Sequence, residues 1–182
     1  MAGLHFVGIS GSLRRQSTNT GLLRAAQKAL PEGATMEIVD LSDIPFFNSD
    51  NPDKPASVQR VFAQLAKADA LVFACPEYNY SIAPALKNII DWASREPNNA
   101  LLAGKAAAIV GAGGGMGTSR AQYHLRQVCV YIDVHPLNKP EFFANAFAGG
   151  FDANGDLTDP QLQKMLADQM AALARWATKL KA

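Results

Sequence analysis

Three segments of this 182-residue chain carry side chains able to bind a ligand. The first runs Ser10-Gly11-Ser12-Leu13-Arg14-Arg15-Gln16-Ser17-Thr18-Asn19. It offers Gly11 for a tight turn, hydroxyls at Ser10, Ser12, Ser17 and Thr18, and the Arg14 guanidinium. It leads into an apolar-periodic stretch, so it ends on a helix N-terminus, whose free amides and positive dipole end attract phosphate. Arg14 can fork onto two phosphate oxygens. Helix capping alone would account for one such hydroxyl; four hydroxyls, an asparagine and two arginines in ten residues point further, to phosphate binding. The second segment, Pro76-Glu77-Tyr78-Asn79-Tyr80-Ser81, offers two aromatics, an amide and a proline-started backbone, which suits a flat ring with a polar edge. The third, Gly111-Ala112-Gly113-Gly114-Gly115-Met116-Gly117, lets backbone approach a ligand closely. As bland alternatives, the tyrosines pad a loop and the glycines form a flexible turn.

Several phosphate chemistries are excluded. The nucleoside-triphosphate pattern GxxxxGK[ST] fails, because Leu13 and Gln16 stand five residues after Gly8 and Gly11. A phosphatase of the cysteine type needs a thiol in the first loop, and there is none. The dinucleotide pattern GxGxxG fails at Gly111 and Gly113, which are followed by Met116. A cofactor with a single phosphate monoester remains.

Alternating elements position these loops. Residues 4–9, 35–41, 70–75 and 106–110 read as apolar strands, with a short fifth near 133–138. Between them, helical stripes appear at Leu22/Ala26/Ala29/Leu30, Val58/Val61/Phe62/Leu65, Leu86/Ile89/Ile90/Ala93 and Ala121/Leu125/Val128/Cys129/Ile132. A last helix over 159–180 shows Leu162, Leu166, Leu173, Trp176 and Leu180 on one face. Strict alternation predicts a flavodoxin-like three-layer α/β sandwich, with a five-stranded parallel sheet of order 2-1-3-4-5 and helices on both faces. Pro136 cannot donate to a ladder, so the fifth strand is expected at an edge. In this order a ligand sits beyond the carboxyl ends of strands 1, 3 and 4, where the three segments lie.

Composition narrows the partners. Hydrophobic residues make up 48%, charged residues 18%, and the net charge is +1. This is too apolar for a disordered chain and too neutral for a nucleic-acid protein. It lacks the acidic excess of a carrier that docks by charge. Cys75 and Cys129 have no metal-type spacing and read as two reduced, buried thiols. With no signal peptide and no membrane-length apolar run, the expectation is one domain over residues 1–182, cytoplasmic, contacting neither membrane nor nucleic acid.

GSLRRQSTN, PEYNYSIAPALKNIIDW and QYHLRQV…NKPEF resemble the NADPH-dependent FMN reductase family, in particular its bacterial quinone and chromate reductase branch. The likeness extends from about Leu4 to Phe143. It implies noncovalent FMN, with NADPH or NADH as co-substrate. By resemblance, Ser12, Arg14, Ser17, Thr18 and Asn19 hold the FMN phosphate. Pro76, Glu77, Tyr78, Asn79 and Tyr80 hold the isoalloxazine ring, largely through backbone, and Gly113 closes the far side. The branch carries hydroxyl residues in the glycine loop that this chain lacks. The family assembles as homodimers and homotetramers. Arg95 would reach an anionic acceptor or the nicotinamide phosphate from a neighbouring subunit, unless it merely pairs with Asp91 beside it. Asp91, Arg120, Tyr123 and Glu141 match interface positions. The implied reaction is a ping-pong transfer from NAD(P)H through FMN to quinones or chromate, with no protein acid or nucleophile. The alternatives are a flavodoxin-type electron carrier, a module whose flavin is structural, and a Rossmann dehydrogenase.

Overall fold

Five apolar runs pair into one parallel sheet because each is flanked by helices that cover its two faces. The computed structural model describes residues 3–50 and 53–182. In chain order the elements are β1 (His5–Ser10), α1 (Thr18–Lys28), β2 (Thr35–Val39), α2 (Ala56–Lys67), β3 (Ala70–Ala74), β4 (Glu77–Tyr78), β5 (Ser81–Ile82), α3 (Pro84–Ala93), β6 (Ala106–Val110), β7 (Ala112–Gly113), α4 (Ser119–Tyr131), β8 (His135–Pro136), β9 (Ala144–Asn145) and α5 (Pro160–Leu180). The sheet order is β2-β1-β3-β6-β8, the expected flavodoxin-like arrangement. The small pairs β4-β5 and β7-β9 are additions that the periodicity does not reveal.

Alternation along the strands builds two cores. Leu71, Phe73 and Cys75 of the β3 run face α2, α3 and α4, whose stripes Val58/Val61/Leu65, Leu86/Ile89/Ile90 and Leu125/Cys129 pack there. Ala70, Val72 and Ala74 face the other way, towards α1 and α5. On that side β6 contributes only Ala106, Ala108 and Val110, so α5 approaches closely. Gln169 of α5 can therefore donate to Ile109 O at 3.2 Å and Pro140 O at 2.9 Å. The buried stripe of α5 is Leu166, Met170, Leu173 and Ala177, while Leu180 lies at the surface, contrary to the expected face. The α1 stripe is likewise shorter than expected, because the helix stops at Lys28.

The two edges of the sheet differ from its interior. At β8, His135 and Leu137 donate inward to Lys105 O and Ala107 O, which leaves Pro136 at the outward position. That position therefore has no N–H to offer, as expected of an edge. At β2, Thr35 donates inward to Leu4 O, and the Gln27 side chain takes Met36 O at 2.7 Å.

Both cysteines are buried and unpaired. Burial pushes each thiol up to about 12, because the thiolate would lose its hydration. An unfolded thiol titrates near ~8.5, so the protonated thiols contribute stability in full below that pH and lose it as pH climbs towards 12. At pH 8 we expect an aromatic disulfide reagent to leave both thiols untouched in the native protein and to label both after denaturation. Rapid labelling of the native protein would contradict this burial.

Candidate functional site

The carboxyl ends of β1, β3 and β6 bring the three sequence segments together. Gly11 follows β1 in van der Waals contact with the next loop: a Cβ there would lie 2.9 Å from Pro76 Cδ and 3.0 Å from Leu86 Cβ. Its N–H donates to Ala74 O at 2.9 Å, extending the β1-β3 ladder into the loop. Ser10 Oγ bonds Thr20 Oγ1 at 2.9 Å and accepts from Ser12 N at 3.2 Å, which folds the loop back over α1.

Ser17 is the N-cap of α1: its hydroxyl accepts from Thr20 N at 3.2 Å. The main-chain N–H groups of Thr18 and Asn19 have no acceptor among the described residues. Two amides at the positive end of a helix dipole form an anion site. Arg14, exposed, and Ser12, half-buried, lie in the loop that leads to it, with the Arg14 guanidinium resting on Gln16 O at 3.3 Å. Of the predicted phosphate residues, Ser12, Arg14 and Thr18 have side chains able to turn to a ligand. Ser17 serves by shaping the helix end.

Asn19 does something the sequence reading missed. Its side chain is buried and makes a reciprocal pair with one residue of the glycine loop: Nδ2 donates to Ala112 O at 2.8 Å, and Ala112 N donates to Oδ1 at 3.0 Å. The amide is committed to tying α1 to β7. Only the Asn19 main-chain N–H is left without an acceptor among the described residues. The glycines of that loop serve the chain as well. A side chain on Gly113 would overlap Gly117 O, and one on Gly111 would overlap the buried Thr118 hydroxyl.

The second segment folds as a hairpin, β4-β5, with Asn79 and Tyr80 as its two-residue turn. Both have positive φ, 51° and 68°, as a type I′ turn requires. Asparagine accepts this readily, whereas a tyrosine there costs roughly 1–2 kcal/mol. Contacts with α4 hold the turn in place. Arg120 pairs with Glu77 Oε1 and lies 3.6 Å over the Tyr80 ring. Ser81 Oγ bonds His124 Nδ1 at 3.0 Å. Glu77 Oε2 also accepts from Ala121 N at 3.3 Å, in the first turn of α4. It substitutes for the N-cap residue Thr118, whose hydroxyl bonds Gln122 at 3.1 Å instead. The Glu77 carboxylate thus faces α4. Its charge raises the Arg120 pKa, through the hydrogen bond first.

A cavity of about 370 Å³ lies between the first loop and the hairpin, lined by Gly11, Leu13, Arg14, Tyr78, Pro84 and Ala85. A second, of about 180 Å³, lies between Ser12, Arg14 and Thr20 on one side and Asp40–Ser42 on the other. Arg14 lines both. An anion-binding helix end beside a cleft with Tyr78 and a proline at its wall fits a phosphorylated, flat-ringed cofactor. The larger cavity of about 610 Å³ lies at the opposite end of the sheet, between Leu4, Pro31, Ala34 and Ala174, away from the helix amides.

The sequence profile of the NADPH-dependent FMN reductases matches residues 4–149. The chain belongs to this family. It is 48% identical over 178 residues to an NAD(P)H-dependent FMN reductase of Pseudomonas aeruginosa, covering 96% of both chains. It is 49% identical over 182 residues to an NAD(P)H:quinone oxidoreductase of Solanum tuberosum, covering 96% of this chain and 93% of that one. Among solved structures, the flavoenzyme NAD(P)H:acceptor oxidoreductase FerB of Paracoccus denitrificans superposes with a TM-score of 0.86 at 30% identity, over 97% and 98% of the two chains. The protein is thus an FMN-dependent oxidoreductase driven by a reduced nicotinamide, and the carrier and dehydrogenase alternatives give way to this reductase.

The remaining predicted residues lie around α3 and α4. Asp91 does not pair with Arg95; it holds Lys87 at 2.7 Å, one helical turn away. Arg95 instead lies 5.6 Å from the centre of the Phe47 ring. Glu141 accepts from Lys139 at 2.5 Å. Tyr123 is 69% exposed.

The Asn19 pair can be tested on the apoprotein. Asn19→Ala strands a buried N–H and a buried carbonyl, and we expect a loss of about 2–3 kcal/mol in urea unfolding. An unchanged midpoint would mean that the amide serves a ligand rather than the fold.

Proposed function

We propose that this enzyme carries electrons from NADH or NADPH to quinones, and to chromate as a substitute, by a ping-pong sequence in which donor and acceptor take turns at one open face. The observation that carries the proposal is the helix end with free Thr18 and Asn19 amides beside the tyrosine-walled cleft. The names of the quinone-reducing relatives support the acceptor class. Bound FMN supplies the redox chemistry, accepting hydride and releasing electrons.

The protein binds, orients and shields. Ser12, Arg14, Thr18 and the α1 amides take the phosphate, with Ser17 and Asn19 shaping that end. Pro76 and the main chain of Glu77, Tyr78, Asn79 and Tyr80 border the ring, and Gly113 closes the far side. Main-chain amides at the ring's polar edge stabilise negative charge that develops there. Tyr78 is exposed and lines the cleft, which leaves a surface on which a flat donor or acceptor can stack.

Arg95 has no carboxylate partner among the described residues. We assign it to anion capture at a neighbouring subunit's site. The assembly is a homodimer or homotetramer. Tyr123, Val130 and Tyr131 are exposed on α4, and such an apolar patch favours burial against a second copy. Asp91, Arg120, Tyr123 and Glu141 would lie at that contact. The working unit is the single domain 1–182, in the cytoplasm.

Steady-state rates with both nicotinamides and a quinone test the sequence of steps: parallel double-reciprocal lines are expected, and converging lines would replace ping-pong by a ternary complex. Arg14→Ala should weaken FMN binding by about tenfold or more, the loss of a charge-assisted fork. Arg95→Ala should raise KM for NADPH or chromate by about fivefold while leaving FMN affinity unchanged. Light scattering that finds only monomer at micromolar concentration would remove the shared site.

A further inference from the structure

The turn at 152–157 belongs to none of the three ligand segments, yet it touches one of them from behind. Asp152 shapes it: Oδ1 accepts from Asn154 N at 2.9 Å and Asp156 N at 2.8 Å, and Asp152 N and O bond Asp156 and Gly155. Gly155 stands at the tip with φ of 79°. A Cβ there would lie 2.8 Å from Ser17 C and 3.0 Å from Gln16 O. In return, a side chain on Gly21 of α1 would overlap the Gly155 carbonyl. Backbone thus rests on backbone, directly behind the helix end. Arg24, one turn further along α1, fastens the contact: Nε donates to Asp156 Oδ1 at 2.5 Å and Nη2 to Asn154 O at 3.2 Å. Leu157 anchors the turn in the core beneath α1 and α5.

We infer that this turn is a positioning device for the FMN phosphate, with Gly155, Asp156 and Arg24 as positioning residues that set the Gln16–Ser17 peptide and so aim the Thr18 and Asn19 amides. The inference rests on the phosphate reading above. Its consequence is selective. A cofactor with a phosphate feels the aim of the helix end, whereas riboflavin, which lacks one, binds through the ring and ribityl chain only. The turn therefore contributes to the preference for FMN over riboflavin. Arg24 and Asp156 are both partly exposed, so their pair contributes little to global stability.

The experiment compares FMN and riboflavin binding to the apoprotein by flavin fluorescence quenching, in Arg24→Gln, Arg24→Lys and Gly155→Ala. Arg24→Gln should weaken FMN by about tenfold while riboflavin stays within about twofold, and Arg24→Lys, which keeps the charge but not the fork, should fall between Gln and wild type for FMN. Gly155→Ala should act in the same direction and more strongly; should it fail to fold, the exposed Arg24 pair still decides. Equal weakening of both flavins, or no change in either, overturns the inference. Arg14→Ala run in parallel separates the two failures. If it splits FMN from riboflavin and Arg24→Gln does not, only the turn's role falls. If Arg14→Ala does not split them either, the phosphate assignment falls and the turn's role with it.

Discussion

The reciprocal bond between the Asn19 amide and the Ala112 main chain spans 93 residues and joins two of the three loops of the site. Its partners are buried, so each would be costly to leave unpaired. One side chain therefore fixes the distance from the anion-binding end of α1 to the loop after β6. Gly11 does the same for the loop after β3, where the lack of a Cβ lets Pro76 and Leu86 close in. The parallel sheet brings three strand ends to one rim; these two contacts turn the rim into a cleft of defined width.

The hairpin shows how a loop at the cleft is held through its side chains. Glu77, Ser81 and the Tyr80 ring are all engaged with α4, through Ala121 N, His124 and Arg120. The strained backbone of the Asn79–Tyr80 turn is offset by those contacts. Its main chain and the Tyr78 ring are left free towards the cleft. The Glu77 carboxylate that pairs with Arg120 has a second role: through Oε2 it accepts from Ala121 N and so caps a helix whose own N-cap residue bonds elsewhere. A charge that looks ligand-directed in sequence is thus a fastening between loop and helix.

Sheet order, strand positions and the location of the cleft were legible in the sequence, because period and alternation record which face is buried. The edge position of the last strand followed from Pro136 alone. The three segments that gather at the strand ends were legible by composition, but which side chains hold the loops together was not. Nothing in the type or spacing of Asn19 says that it faces Ala112, and nothing in Glu77 says that it faces α4. Such choices depend on contacts across 93 and 44 residues. The Asp91–Arg95 pairing failed for a simpler reason: α3 ends at Ala93, so Arg95 leaves the helical register and lies over Phe47, while Lys87 inside the helix takes the carboxylate. The 152–157 turn did leave a local trace, since Asp-Ala-Asn-Gly-Asp is turn chemistry, but its target on α1 did not.

The two sheet edges, closed in different ways, limit how copies of the chain can meet. At β8 the outward residue is a proline without an N–H, and at β2 the outward Met36 carbonyl is already taken by Gln27. Each edge thus lacks one of the groups that a further strand would pair with. Growth by strand addition, the usual route from open sheets to fibres, is discouraged at both ends. Association is left to helix surfaces, which can meet and part without rebuilding the fold.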